Sequence, residues 1–284
     1  MLPLRGAMRD TRAMSTPVHP LDAATQLEPL GSGQYHGHTS PNYANMVGPF
    51  GGVIAATLLN ATLLHSGRQG DPIALTVNYA GPLADGEFAV EASPVRTNRS
   101  TQHWQLVMKQ DEQVAATASA VYASRRATWS ALETRFPDVP AAQKLQAEPN
   151  VERAPWTRSY EMRFVEGALR LSSAERQAGD SRSTLWIRDA PPRPLDFVSL
   201  VAICDAFFPR LFVRRPVWAP VGTVSFTTYF HADAPLLAAV GEAPVLGTAR
   251  AQQFRNGYFD QAAEVWSEGG ALLATSHQIV YYRQ

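Results

Sequence analysis

The fold is decided by the stretch from Gly51 to His65, which reads GGVIAATLLNATLLH. After the two glycines, apolar residues occupy almost every side of a helical projection. Such a pattern is typical of a helix enclosed by other structure rather than one lying on a surface. We therefore expect a central buried helix, which turn-forming residues at 67–72 bring to an end.

Strand-like segments follow this helix. Residues between 73 and 122 alternate in polarity or are rich in β-forming types, with turn signals at 82–86 and 110–113. The expected strands are residues 73–79, 87–96, 101–109 and 114–122. One helix followed by antiparallel strands makes up the first half of the chain.

The same order of elements returns in the second half. Strand-like residues 160–171 and 184–188 precede an apolar helix at 197–208, which a proline stops. The strands expected after this helix are residues 221–231, 244–253, 257–266 and 271–282. The two halves can be overlaid with Tyr79 opposite Tyr229.

This duplicated order predicts the fold class and the domain organisation. We expect an α+β fold in which residues 31–127 and 161–284 each form a helix wrapped by an antiparallel sheet. The proline-rich residues 128–160 are expected to link the two repeats, and residues 1–30 to be a disordered leader. Joining the sheets edge to edge would hide two edge strands and give one pseudo-dimer.

Composition narrows the classes of function. Lys and Arg number 25, as do Asp and Glu, so no net charge draws the chain to nucleic acid or to an anionic membrane. The longest apolar run, residues 53–64, is shorter than the roughly 20 residues of a membrane span, and no secretory signal is evident. The single cysteine, Cys204, excludes an internal disulfide and a cysteine-rich zinc site. We expect a cytoplasmic protein without metal or cofactor.

Asp205 is the most informative polar residue. Its helical neighbours, among them Val201 and Ala202, are apolar, and burying an unpaired carboxylate would cost several kcal/mol. We therefore expect Asp205 to have polar partners. Two interpretations stay open: the carboxylate orients or deprotonates a water, or it lies near the helix end and faces solvent or an arginine such as Arg210 or Arg214.

Thr223 and Gln278 lie on two of the expected strands. Alternation groups Thr223 with Ser225 and opposite Phe226, which predicts that its hydroxyl points away from the local helix. Gln278 shares a strand face with apolar residues such as Val280, and an amide in such a place needs hydrogen-bond partners. The alternatives are a structural hydroxyl on a strand and an exposed or cross-strand amide.

Motif order and spacing together resemble a known family. The segment GPFGG at residues 48–52 enters the first helix, and VRTNRS at residues 95–100 joins two strands of the first repeat. With the three polar residues of the second repeat, these segments resemble the double-hotdog acyl-CoA thioesterases, the bacterial thioesterase II group and the wider thioesterase-like superfamily. The resemblance covers residues 40–126 and 195–284 and implies a double-hotdog fold.

The resemblance also implies roles for individual residues. Asp205, Thr223 and Gln278 would be catalytic, with the carboxylate accepting a proton from water while the hydroxyl and the amide hold that water. Gly51 and Gly52 would bind substrate by letting the thioester carbonyl approach backbone N–H groups at the helix start. Alternatively, the two glycines serve only to form a tight turn into the helix and do not bind substrate.

Other candidate residues carry weaker signals. Arg96 and Arg99 are candidates for the CoA phosphates because of their charge and their place at a loop edge. His36 and His38 have no acidic or cysteine ligand nearby, so a loop role is favoured over a metal site. The first helix contains no carboxylate, and we therefore expect one active site per chain. The chain lacks the Gly-x-Ser-x-Gly elbow of α/β-hydrolases.

The resemblance predicts a hydrolase of lipid metabolism that cleaves acyl-CoA or acyl-carrier thioesters without a cofactor. By analogy, a homodimer or a higher homo-oligomer is expected. One alternative is a hotdog-fold enoyl-CoA hydratase or dehydratase, in which His231 would approach Asp205. Another is a non-catalytic acyl-CoA or lipid-binding protein.

Overall fold

The computed structural model describes residues 17–149, 153–170 and 179–283, and it has the expected order of elements. The first half contains α1 (Pro20–Ala24), β1 (Glu28–Gly31), β2 (Gln34–His38), α2 (Gly51–Leu64), β3 (Asp71–Tyr79), β4 (Glu87–Thr97), β5 (Thr101–Gln110) and β6 (Gln113–Ala123). The second half contains β7 (Tyr160–Glu166), β8 (Ser183–Asp189), α3 (Phe197–Asp205), α4 (Arg210–Arg214), β9 (Val221–Phe230), α5 (Ala234–Val240), β10 (Val245–Arg250), β11 (Phe254–Arg255), β12 (Tyr258–Trp266) and β13 (Leu272–Tyr282).

The strands of both halves form one antiparallel sheet. Across the described residues it has 13 strands in the order β1-β2-β4-β5-β6-β3-β9-β13-β12-β10-β8-β7, with β11 attached to β12. The seam between the halves is the pairing of β3 with β9, which runs from Ala74 opposite Tyr229 to Asn78 opposite Ser225. The predicted edge-to-edge joining of two repeats in an α+β double hotdog is therefore confirmed.

The helix α2 is enclosed as its apolar pattern predicts. Leu58 and Leu59 are fully buried, together with most of the small residues of the helix. Its first turn packs on α3, where a Cβ at Gly52 would lie only 2.8 Å from the carbonyl oxygen of Ala202. The two helices thus approach each other closely at the start of α2. None of the described helices is long and apolar enough to cross a membrane.

The prediction of a disordered leader over residues 1–30 is wrong for the second part of that range, which contains α1 and most of β1. Leu21, Ala24 and Leu27 are buried in the core of the first repeat. Removing these apolar side chains from water ties the segment down. Residues 1–16 lie outside the described residues.

The connecting segment contributes to the core. Residues 124–141 carry no helix or strand, and the short 3-10 helices Ala142–Lys144 and Pro155–Ser159 follow. Trp156 in the second of these stacks on Phe50, with 4.3 Å between the ring centroids. Because Phe50 immediately precedes α2, this part of the link supports the start of the buried helix.

The helix α3 ends at Asp205 rather than at residue 208 as predicted. Pro209 disfavours helical backbone at the residue before it. The Arg210 guanidinium also donates from Nε to the carbonyl oxygen of Phe208 at 3.0 Å, which fixes the loop that leaves the helix. Asp205 is therefore the last residue of α3 and not an interior one.

The overlay of Tyr79 on Tyr229 is wrong by one residue. Tyr229 is exposed, whereas the next residue, Phe230, is buried and packs on Phe197 at the start of α3, with 5.6 Å between the ring centroids. Tyr79 makes the corresponding contact at the start of α2, where its hydroxyl donates to the Gly51 carbonyl. The inward-facing Phe230 therefore corresponds to Tyr79.

Leu75 on the seam strand β3 is fully buried, so its replacement tests how much the packing at the seam contributes to stability. We expect Leu75→Ala to lower the free energy of unfolding by about 3 kcal/mol, because it removes apolar contacts and leaves a cavity. The matched control Leu30→Ala replaces a side chain that is 65% exposed and should change this free energy by less than about 0.5 kcal/mol. Urea unfolding followed by circular dichroism measures both, and equal losses would contradict the packing described.

Candidate active site

Asp205 lies at the contact between α3 and the first turn of α2. Its side chain is buried, with only 8% of the residue exposed. One carboxylate oxygen, Oδ2, would lie 2.8 Å from a Cβ at Gly51, so glycine there leaves the room that the acid occupies. The backbone N–H of Gly52 also favours the ionised form of the carboxylate. The expectation of polar partners for Asp205 is confirmed.

Gln278 on β13 supplies the second partner. Its Nε2 donates to Asp205 Oδ1 at 2.7 Å, and the residue is only 3% exposed. Strand alternation directs this amide to the inner face of the sheet, where α3 packs. The two residues are 73 positions apart in the chain, and the sheet brings them together.

Thr223 reaches the same site because of a β-bulge. On β13, Ile279 pairs with Ser225 but Val280 pairs with Thr223, which leaves Val224 as the extra residue of β9. The bulge turns the Thr223 side chain to the inner face, since cross-strand partners point to the same side. Its Oγ1 donates to Gln278 Oε1 at 3.2 Å. The predicted outward direction of this hydroxyl was therefore wrong.

The two glycines of α2 have a steric role beyond that of a turn. Gly51 makes room for the Asp205 carboxylate, and Gly52 makes room for the backbone of α3 at Ala202. The N–H of Gly52 is already directed at Asp205. Binding of a substrate carbonyl by Gly51 and Gly52 stays a prediction.

Burial controls the electrostatics of the site. It raises the pKa of Asp205 to about 7, while the hydrogen bond from Gln278 and the nearby Gly52 N–H oppose the rise by favouring the carboxylate. Burial also raises the pKa of Tyr79, and the nearby Asp205 charge adds to that rise. Near neutral pH the site therefore combines an acid that can change protonation state with a tyrosine that keeps its proton.

Tyr79 was missed as a site residue by the sequence analysis. Its Oη donates to the Gly51 carbonyl at 2.8 Å and would lie 3.3 Å from a Cβ at Gly51. The hydroxyl thus flanks the same α-carbon as the Asp205 carboxylate. The only signal in the sequence is its place at the end of the strand that follows α2, because the sequence alone does not specify the pairing of β3 with β9.

The candidate arginines Arg96 and Arg99 are not brought to Asp205. Both are exposed in the region joining β4 to β5, and Gln102 at the start of β5 donates to the carbonyl of Gly67 beyond the end of α2. The start of α2, at Gly51, is about 20 Å away along the helix. Contact of these arginines with CoA phosphates stays a prediction.

Two other suggested partners of Asp205 are engaged elsewhere. The buried Arg210 donates to neutral acceptors, among them Gln261 Oε1 at 3.0 Å and Ser183 Oγ at 2.8 Å. The ring of His231 hydrogen bonds to Thr275 Oγ1 at 3.1 Å and lies at the far end of β9 from the bulge. Within the described ranges, no cluster of His, Cys, Asp and Glu could hold a metal ion.

The raised pKa of Asp205 predicts a pH-dependent cost in stability. Between the ordinary value of 3.8 and the folded value of about 7, the folded chain binds a proton that the unfolded chain lacks. The contribution of this group to stability is therefore greatest below pH 4 and is lost as the pH rises through 7. Asp205→Asn removes the ionisation and should be more stable than the unmutated protein at pH 8, by about 1–3 kcal/mol.

Urea unfolding at pH 4.5 and at pH 8 measures this effect. The control Asp85→Asn changes an exposed acid in a loop, and it should behave like the unmutated protein at both pH values. A gain for Asp205→Asn that is equal at both pH values would contradict the raised pKa.

The close approach of the two helices predicts a graded response to alanine. Gly52→Ala places a methyl group against the Ala202 backbone oxygen, which cannot move without displacing α3, so we expect a large fall in the melting temperature. Gly51→Ala meets a carboxylate that can rotate and should lower the melting temperature less. Gly269→Ala is the control, because its new methyl group would lie 3.8 Å from Ser267 Oγ, an ordinary van der Waals distance. Equal melting temperatures for all three variants would contradict the packing at α2.

The comparisons identify the family. A family model described as the acyl-CoA thioesterase N-terminal domain matches residues 40–123, and one described as the C-terminal domain matches residues 134–282. A search of curated proteins gave no match. The two matched segments together span more than half of the chain.

Solved structures agree with the fold. A conserved protein of unknown function with a hot dog fold from Alicyclobacillus acidocaldarius is 46% identical, with 94% of this chain and 99% of that chain covered and a TM-score of 0.89. A putative thioesterase II from Thermobifida fusca YX is 17% identical, covers 95% and 99%, and has a TM-score of 0.81. The tesB protein of Mycobacterium avium subs paratuberculosis is 16% identical, covers 93% and 98%, and has a TM-score of 0.76. With both family models matched in order along it, this chain belongs to the acyl-CoA thioesterase family of double-hotdog proteins.

Proposed function

We propose that the protein hydrolyses acyl-CoA thioesters with a water molecule positioned by Asp205, Thr223 and Gln278. The observation that carries the proposal is the chain of hydrogen bonds from Thr223 to Gln278 and from Gln278 to Asp205, which ends on a buried acid. Membership of the acyl-CoA thioesterase family supports the same reaction and the same class of substrate.

The direction of these hydrogen bonds explains why an amide and a hydroxyl are both needed. Because Thr223 donates to Gln278 Oε1, the amide group is fixed with its nitrogen towards Asp205. An amide nitrogen carries two N–H donors, so one can hold the carboxylate while the second is available to a water. In this proposal Thr223 acts by orienting Gln278.

The reaction follows from the state of the acid. The ionised Asp205 takes a proton from the water as its oxygen attacks the thioester carbonyl, and the C–S bond then breaks. The proton held by Asp205 passes to the leaving thiolate, which gives the carboxylic acid and free CoA thiol. No covalent enzyme intermediate and no cofactor enter this balance. The Gly51 N–H at the start of α2 is the candidate donor to the developing oxyanion.

A pKa of about 7 suits a general base, because it combines a useful ionised fraction near neutral pH with adequate basicity. A carboxylate at its ordinary pKa of 3.8 would be a much weaker base. The buried position of Asp205 thus has a chemical purpose that accounts for its cost in stability.

The test is release of free thiol from a panel of acyl-CoAs and acyl-carrier thioesters by the purified full chain. Asp205→Asn and Gln278→Ala should each lower kcat at least tenfold while the far-ultraviolet circular dichroism stays unchanged. The control Gln105→Ala removes an exposed amide on β5 and should leave kcat unchanged. The kcat/KM of the unmutated protein should rise with pH, with a limb near pH 7, because only the ionised acid accepts a proton.

Other results would replace the proposal. Addition of water to a 2-enoyl-CoA without thiol release would indicate a hydratase. Tight acyl-CoA binding without turnover across all chain lengths would indicate a non-catalytic binding protein. Full activity of Asp205→Asn would exclude the assigned role of the acid.

A further inference from the structure

The Tyr79 hydroxyl and the Asp205 carboxylate both border the first residues of α2. Tyr79 Oη donates to the carbonyl of Gly51 at 2.8 Å. A Cβ at Gly51 would lie 2.8 Å from Asp205 Oδ2 and 3.3 Å from Tyr79 Oη. The N–H of Gly52, which belongs to the same peptide group as the Gly51 carbonyl, favours the ionised form of Asp205.

This peptide needs an external anchor. Glycine on both sides gives it more rotational freedom than any other pair of residues would allow. It also lies in the first turn of α2, where N–H groups have no partner within the helix. A hydrogen bond at its carbonyl oxygen fixes the plane, and it also polarises the N–H on the other side.

Tyr79 is rigidly placed for this task. It ends β3, the seam strand that pairs with β9, and the last pair of that ladder joins Asn78 to Ser225, next to the bulge at Val224. The first repeat thus contributes a side chain beside a group of catalytic candidates that otherwise comes from the second repeat. At the matching place in the second repeat, Phe230 has no hydroxyl to offer.

We propose that Tyr79 is a positioning residue for Asp205. The Tyr79 hydroxyl holds the Gly51–Gly52 peptide so that the Gly52 N–H stays directed at the Asp205 carboxylate. Its effect on turnover rests on the proposed thioesterase function. Its effect on the acid does not, because the contacts of Tyr79 and Asp205 with the start of α2 exist whatever the substrate is.

The titration of Asp205 depends on the groups that face it. Burial raises the pKa of Tyr79 on β3, of Tyr160 on β7 and of Cys204 on α3, and the Asp205 charge adds to each rise, so these three groups stay neutral near pH 7. Gln278 on β13 is a neutral amide. Among the groups that face Asp205, only the acid itself changes charge near neutral pH; the other buried acid with a raised pKa, Asp189 at about 6, hydrogen bonds to Ser199 instead. Weaker stabilisation of the carboxylate by the Gly52 N–H should raise the pKa of Asp205.

The experiment compares Tyr79→Phe with the matched control Tyr229→Phe, which removes the hydroxyl of an exposed tyrosine on β9. In Tyr79→Phe, the acid limb of kcat/KM should move to higher pH by at least half a unit, kcat at pH 7 should fall three- to tenfold, and KM should stay within twofold. Tyr229→Phe should match the unmutated protein in all three measurements. Equal profiles for the two variants would overturn the proposal.

A measurement without substrate separates this proposal from the thioesterase reaction. Carbon-13 NMR of the labelled aspartates gives the pKa of Asp205 directly, with Asp205→Asn identifying its signal. Tyr79→Phe should raise that pKa, even if no thioester is ever cleaved. An unshifted Asp205 signal in a folded Tyr79→Phe protein would overturn the role assigned to Tyr79, while failure of thiol release by the unmutated protein would overturn only the thioesterase.

Discussion

The contact between the first turn of α2 and the last residue of α3 is the interaction on which the site depends. A carboxylate buried at the end of its own helix meets the partial negative charge of that terminus, and it has lost most of its water. The start of α2 offsets part of this cost, since its N–H groups carry the opposite partial charge. Only glycine at positions 51 and 52 lets the two helix ends come close enough.

The sheet then fixes what surrounds the acid. Its seam joins the strand of Tyr79 to the strand of Thr223, and the next strand along carries Gln278. Groups distant in sequence thereby meet at the start of α2, and each is held by a strand rather than by a loop. Such placement limits the movement of the groups around the acid and suits chemistry that depends on orientation.

Much of this arrangement follows from the sequence, because the pattern that specifies it is local. The apolar stretch of α2 and the repeated order of helix and strands predict the duplicated fold, and an acid among apolar neighbours predicts the partners of Asp205. The direction of Thr223 was not predictable, because the extra residue Val224 puts the alternation before it out of phase with the alternation after it. The role of Tyr79 was equally hidden, since it depends on the pairing of two strands from different repeats. Charge and position near a loop make Arg96 and Arg99 candidates for the CoA phosphates. Neither property reveals how far these residues lie from Asp205.

The correspondence between the repeats has a consequence for how the duplicated halves have diverged. At the start of α2, a glycine contacts a tyrosine hydroxyl, whereas at the start of α3 the same two places hold Phe197 and Phe230 packed ring against ring. Where the first repeat has a polar contact, the second repeat has an apolar one. Natural proteins often exchange stability against function within one site. Here the tandem copy lets the two helix starts differ, so that the start of α2 borders the buried acid of the second repeat while the start of α3 adds apolar packing to the shared core.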